Sequence, residues 1–157
     1  MLFEVTGLGV VVYSIRGGTL SGPRLMESAV GGEAGEEVLE GPPSLDGKFA
    51  IKRSVNPYGA DNYSGFAQIS KRGDRYRVAW YTPQLAYTGI GLRIADKLVV
   101  AFSAESTAPG VLGYCVGPGG MAGAGAEGFS GAAYRLHLQR RTATGGADAL
   151  PSCEIAP

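Results

Sequence analysis

The sequence predicts an all-β fold: an antiparallel up-and-down β-barrel, or a closed meander of roughly eight to ten strands, with an internal hairpin repeat. Three observations carry that reading. Residues 9–22, GVVVYSIRGGTLSG, align without a gap onto residues 110–123, GVLGYCVGPGGMAG, and keep Gly9/Gly110, Val10/Val111, Tyr13/Tyr114, Gly18/Gly119 and Gly22/Gly123. Glycine accounts for 26 of 157 residues, more than twice average usage, yet no collagen-like triplet period accompanies it. Short alternating runs are punctuated by Gly, Asp and Pro, and no strand pattern alternates with a long amphipathic helix, which argues against a parallel α/β sheet.

Taken in order, the first hairpin places Val11, Tyr13 and Ile15 on one face, and the second places Leu112, Tyr114 and Val116 at matching inward positions. Two hairpin copies at opposite ends of a short chain suggest a sheet that closes on itself, lipocalin- or avidin-like in architecture. Residues 23–36 are the least strand-like, with one helical turn expected over Leu25 to Val30. Lys48 to Lys52 reads as a strand with Phe49 and Ile51 inside. Tyr63 to Ser70 and Asp74 to Tyr81 pair across Lys71-Arg72-Gly73, with Tyr76, Val78 and Trp80 facing the core. Leu98, Val100 and Phe102 face inward in Lys97 to Ser103, as do Tyr134, Leu136 and Leu138 in Ala133 to Gln139. Gly17-Gly18, Asp46-Gly47, Asn56 to Gly59, Gly73-Asp74 and Ala95-Asp96 supply turn chemistry. Ala86 to Ile94 poses a choice, because Ile90, Leu92 and Ile94 share one face and Tyr87, Gly89, Gly91 and Arg93 the other. Either three aliphatics point outward, suiting a partner or homo-oligomer surface, or Arg93 points inward.

One domain is expected over residues 1–140, followed by a polar tail over residues 141–157 that should be poorly ordered. Fourteen basic and fourteen acidic residues cancel, so no long-range field favours nucleic acid or an anionic membrane. No stretch approaches a membrane-spanning helix, and the start MLFEVTGLGVVVYSIRGG has neither a basic segment nor a small-residue cleavage site. Cys115 and Cys153 could form one bridge or remain free thiols, and spacing does not choose between them.

Gly9-Val-Val-Val-Tyr13, Gly17 to Gly22, Glu37-Val-Leu-Glu-Gly41, Leu45-Asp-Gly47, Tyr63-Ser-Gly65, Gly73-Asp74 with Tyr76 and Trp80, and Tyr87-Thr-Gly-Ile-Gly91 together resemble a known pattern. It is that of a family of small glycine-rich bacterial β proteins often labelled fibronectin-binding, over roughly residues 5–139. The resemblance implies a binding role and export to the periplasm or medium. The second hairpin departs from the pattern at Gly117 to Gly120 and at Gly123 to Ala126.

No residue set spells a catalytic site or a metal centre, and no cofactor is expected. Arg72-Gly73-Asp74 matches an integrin-recognised tripeptide but is also ordinary hairpin chemistry. Gly123 to Gly128 has dinucleotide-loop spacing without the strand and helix such a loop requires. His137 is alone on an outward face, with no nucleophile elbow or soft ligands to join it. Glu33, Glu36, Glu37 and Glu40 read as a solvated acidic edge that protects a sheet from edge pairing. The inward aromatics Tyr13, Phe49, Tyr76, Trp80, Phe102, Tyr114 and Tyr134 are the material for a ligand pocket, or simply for filling a small barrel. The chain therefore reads as a non-enzymatic binding protein for a small apolar molecule in the barrel, through Tyr13, Tyr76, Trp80, Phe102, Tyr114 and Tyr134, or for a protein through exposed strands and turns. A structural or self-assembling subunit is the alternative, and an enzyme of unrecognised type ranks third.

Overall fold

A computed structural model describes residues 9–26, 34–55, 63–83, 86–103, 111–117, 120–126 and 133–139. Eight strands, β1 (Gly9–Arg16), β2 (Thr19–Met26), β3 (Gly35–Glu40), β4 (Gly47–Val55), β5 (Phe66–Arg72), β6 (Arg75–Tyr81), β7 (Ala86–Ile94) and β8 (Lys97–Ser103), run as an antiparallel meander and close into a barrel. The closing seam pairs β1 with β8, from Gly9 opposite Phe102 to Ser14 opposite Lys97. It is reinforced by the Ile15 amide donating to the Asp96 carbonyl at 2.8 Å and by Lys97 Nζ donating to Ser14 Oγ at 2.8 Å. Alternation then sorts the side chains. Val11, Tyr13, Leu20, Leu39, Phe49, Ala67, Ile69, Tyr76, Val78, Trp80, Leu98, Val100 and Phe102 form the buried core, as an eight-stranded barrel of ordinary tilt requires.

The barrel's two ends differ. At one, the chain reverses in two residues at Gly17-Gly18, Gly73-Asp74 and Ala95-Asp96. Gly17 and Gly73 take positive φ (58° and 63°), as hairpin loops of this length require, and Ala95 does so at 53° with a Cβ in place. Leu45, in the β3–β4 connection, is 1% exposed and belongs to the core, so it plugs this end. At the other end the strands are separated by segments 27–34, 56–65 and 82–85, and the inward side chains there are partly exposed.

The sheet interior alternates regularly except in β4. Val38 pairs with Arg53, but Leu39 pairs with Ile51, so the register slips by one residue at Lys52. This bulge keeps Phe49 and Ile51 inward, turns Arg53 out to pair with Glu36 at 3.2 Å, and brings Ser54 inside. The hairpin between β5 and β6 turns at Gly73-Asp74 with Arg72 opposite Arg75, one position later than a Lys71-Arg72-Gly73 loop. Leu25 and Met26 belong to β2 rather than to a helical turn, and the rest of that expected turn lies outside the described residues.

The remaining strands, β9 (Val111–Gly117), β10 (Gly120–Ala126) and β11 (Ala133–Gln139), form a separate three-stranded antiparallel sheet in the order β11-β10-β9. Residues 110–123 thus contribute a hairpin, as residues 9–22 do, but it does not close the barrel, because β8 already occupies the free edge of β1. The inward equivalence expected of the two hairpins fails accordingly: Val116 is 74% exposed where Ile15 packs against the core, and Tyr114 lies outside the barrel. Tyr134, Leu136 and Leu138 are on β11, also outside the barrel interior, and their side chains are not among those described. Cys115 on β9 is disulfide-bonded; Cys153 and the tail over residues 141–157 lie outside the described residues.

This second sheet resolves the ambiguity of β7. Gly89 stands opposite Phe102, Gly91 opposite Val100 and Arg93 opposite Leu98, so the Tyr/Gly face points inward, with Arg93 at the tight-turn rim donating from Nε to the Ala95 carbonyl at 3.3 Å. Ile90, Leu92 and Ile94 point out of the barrel, yet they are 0%, 2% and 6% exposed because β9 and β10 pack over β7. The stripe is therefore an internal interface and not a surface for a second copy. Ile90→Ala is expected to cost about 2–5 kcal/mol, as for a core residue, whereas the exposed Val116→Ala should stay within about 0.5 kcal/mol. Urea unfolding monitored by circular dichroism separates these outcomes, and a neutral Ile90→Ala would mean that β7's outer face is solvated.

Candidate functional site

Among the described residues, the most deeply buried polar side chain is that of Glu37, at 0% exposure. On β3, Glu37 and Leu39 share the inward face, while Glu36 and Glu40 face solvent and pair with Arg53 and Lys52. The acidic edge expected from the sequence thus holds for Glu36 and Glu40 and fails for Glu37; Glu33 lies outside the described residues. Applying the two-residue period to Glu36-Glu-Val-Leu-Glu40 separates Glu37 from its neighbours, and that was the available signal.

Three donors reach the Glu37 carboxylate from three directions. The Tyr13 hydroxyl on β1 and the Trp80 indole Nε1 on β6 donate to Oε1, the latter at 3.0 Å, and the Tyr63 hydroxyl donates to Oε2. Tyr63 is itself fixed by Ser54, whose Oγ accepts from the Tyr63 amide and donates to the Tyr63 carbonyl, both at 3.0 Å. The β4 bulge, by turning Ser54 inward, is what makes that clamp available. Between Tyr13 and Glu37 lies Gly22 of β2, opposite Glu37 in register, and a Cβ there would sit 1.8 Å from the Val12 carbonyl oxygen. Only glycine allows β1 and β2 this approach and leaves the inward position open for the Tyr13 phenol to cross to Glu37. An uncompensated buried carboxylate costs several kcal/mol, and three directed donors offset that cost.

Above this floor, toward the long-connection end, lies an aromatic wall. Trp80 and Phe102 have ring centroids 5.3 Å apart, and Tyr87 meets Phe102 edge-on at 5.6 Å. Arg24 projects from the inward face of β2, where it pairs with Val11. Its guanidinium carbon stands 4.9 Å from the centroid of Tyr63, 5.6 Å from that of Tyr87 and 4.8 Å from that of Phe102. Arg24, Tyr63 and Tyr87 are half-buried, so this layer is in contact with solvent.

Of the six aromatics expected to bind ligand, the structure brings Tyr13, Trp80 and Phe102 together around Glu37 and Arg24. Tyr76 is buried deeper in the barrel, and Tyr114 and Tyr134 are on the second sheet. Glu37, Arg24, Tyr63 and Tyr87 complete the site. Arg72-Gly73-Asp74 occupies the exposed tip of the β5–β6 hairpin at the opposite end, where Asp74 pairs with Arg75 at 3.5 Å. Gly123 to Ala126 is strand β10 and not a phosphate-binding loop, and the side chain of His137 on β11 lies outside those described. Among the described residues no three His, Cys, Asp or Glu side chains gather as metal ligands, and no helix is long and apolar enough to cross a membrane.

No family model, curated protein or solved structure matches the chain.

Burial, then the charge of Glu37, pushes the Tyr13 hydroxyl well above its ordinary pKa of 10.0. The same two causes push Tyr63 up, with Arg24's charge opposing them. Both phenols therefore stay protonated donors. Below pH 10 the folded and unfolded tyrosines carry the same protons and the contribution to stability is complete. Above it the unfolded tyrosines ionise first, and stability falls as pH rises, by up to about 1.4 kcal/mol per pH unit for each. Tyr13→Phe should make this alkaline limb shallower by about one proton in urea unfolding at pH 9 to 11.5; an unchanged slope would mean that Tyr13 ionises normally. Glu37→Leu, which orphans three donors, should cost about 3 kcal/mol or more, and Glu37→Gln clearly less, since one acceptor oxygen remains.

Proposed function

We propose that the protein is a non-enzymatic binding protein that holds a small, largely apolar molecule at the long-connection end of the barrel, against Tyr63 and Tyr87, with Trp80 and Phe102 packed beneath them. The observation that carries this reading is the division of the interior into two parts. From Leu45 up to Trp80 and Phe102 the barrel is filled by its own side chains, leaving binding to the half-exposed Arg24, Tyr63 and Tyr87 at the long-connection end. Ligand sites of this kind combine apolar walls with a few placed polar groups, and Arg24 and the tyrosine hydroxyls supply those. Glu37 serves as the floor: its oxygens are engaged by Tyr13, Tyr63 and Trp80, which fixes the aromatic rings in place without a reacting group at the surface.

The resemblance to glycine-rich β proteins labelled fibronectin-binding is consistent with a binding role and with export. A self-assembling subunit is the less favoured reading, since the aliphatic stripe that suggested it is covered within the chain.

Trp80 is the only tryptophan, and its indole N–H is bound to Glu37, so its emission reports on the site directly. Titration with cyclohexanol, octanol, cyclohexanecarboxamide and cyclohexanecarboxylate should give a saturable change in Trp80 emission with at least one of them, in a sample whose mass by light scattering is that of a small species. A flat response to all four, together with a mass of many subunits, would overturn the proposal in favour of self-assembly.

A further inference from the structure

We infer that the ligand carries a carboxylate head and that Arg24 is the group that selects it. This rests on the placement of ligand binding at the open end of the barrel, and it names the chemistry of that same site. An arginine on the inward face of a barrel strand is costly to dehydrate, and its five N–H donors call for acceptors. Arg24 is held by rings on three sides, yet among the described residues it forms no ion pair or hydrogen bond. Among the described residues, the carboxylate that shares the barrel interior with it, Glu37, is committed to two tyrosines and the tryptophan, while Glu36 lies on the outer face with Arg53.

Stacking on aromatic faces leaves a guanidinium's in-plane edges available, because ring contact uses the π-face and hydrogen bonding uses the periphery. The rings therefore flank Arg24 while no described side chain engages its donors, which remain open to solvent. That is the preorganised state from which a planar carboxylate gains a bidentate contact at little ordering cost. Glu37 sets the depth. A ligand carboxylate driven further into the barrel meets a like charge, so the head stays at the guanidinium and the apolar body rests on Tyr63 and Tyr87. A neutral amide of the same shape keeps the body contacts and loses the charge-assisted pair.

Calorimetric titration of the whole chain with cyclohexanecarboxylate and with cyclohexanecarboxamide, at low and high salt, tests the assignment. The carboxylate is expected to bind about tenfold or more tightly than the amide, and the margin should shrink with added salt. Arg24→Gln should abolish the margin by weakening carboxylate binding more than amide binding, and Arg24→Lys, which keeps the charge but not the planar fork, should retain part of it. The fold of each variant is checked by Trp80 emission. Amide and carboxylate binding equally to the unaltered protein, or a margin that survives Arg24→Gln, overturns the assignment to Arg24 while leaving ligand binding at the open end standing. Failure of both compounds to bind, together with the flat Trp80 titration above, overturns both readings.

Discussion

The structure depends on one buried charge. Glu37 sits on β3 inside an apolar barrel, and the groups that make it tolerable come from β1, β6 and the segment entering β5. A carboxylate with one donor would be a liability of several kcal/mol; with three it becomes a constraint that fixes how opposite walls of the barrel face one another. The same hydrogen bonds lock the rotamers of Tyr13, Tyr63 and Trp80. The position of the half-exposed Tyr63 ring is thus set by the carboxylate beneath it, and the candidate site's geometry and the barrel's closure are a single problem.

Two local departures from ideal sheet geometry serve that cluster. The slip between Val38 and Leu39 exchanges Arg53 for Ser54 on the inner face, which removes a second charge from the interior and supplies the hydroxyl that clamps Tyr63. Gly22 leaves an empty inward position between Tyr13 and Glu37 and lets the two strands approach. Each feature is unremarkable alone. Together they bring two phenols and an indole to one carboxylate, and a side chain at position 22 or an unbulged β4 would remove one of them.

Much of the barrel was legible in the sequence because its strands obey the two-residue period. Tyr76, Val78 and Trp80, and Leu98, Val100 and Phe102, lie inside as alternation requires, and the glycine-containing turns reverse the chain at Gly17-Gly18 and Gly73-Asp74. What alternation does not encode is which strand closes on β1. Two similar hairpins at opposite ends of the chain suggested a sheet that closes on itself; the closure is made by β8, which carries Leu98, Val100 and Phe102 in register with β1. The site was half legible. Its apolar members follow from period two, whereas Glu37 looked solvated because it stands among other glutamates, and Arg24 was hidden by a segment whose Gly, Pro and Arg read as irregular. Both positions are polar residues at inward parity, which hydrophobic patterning by its nature overlooks.

The second sheet shows why a sequence pattern that looks like a docking surface need not be one. Ile90, Leu92 and Ile94 point away from the barrel, and on an eight-stranded barrel alone they would form an exposed apolar stripe. β9 and β10 cover it, so the apolar surface that might have driven association is consumed within the chain. Net charge is zero and that stripe is covered, so neither of these two features offers a surface for association. At the long-connection end a guanidinium stands among three rings above a carboxylate that accepts three hydrogen bonds, and the proposed binding rests on that polar and aromatic combination.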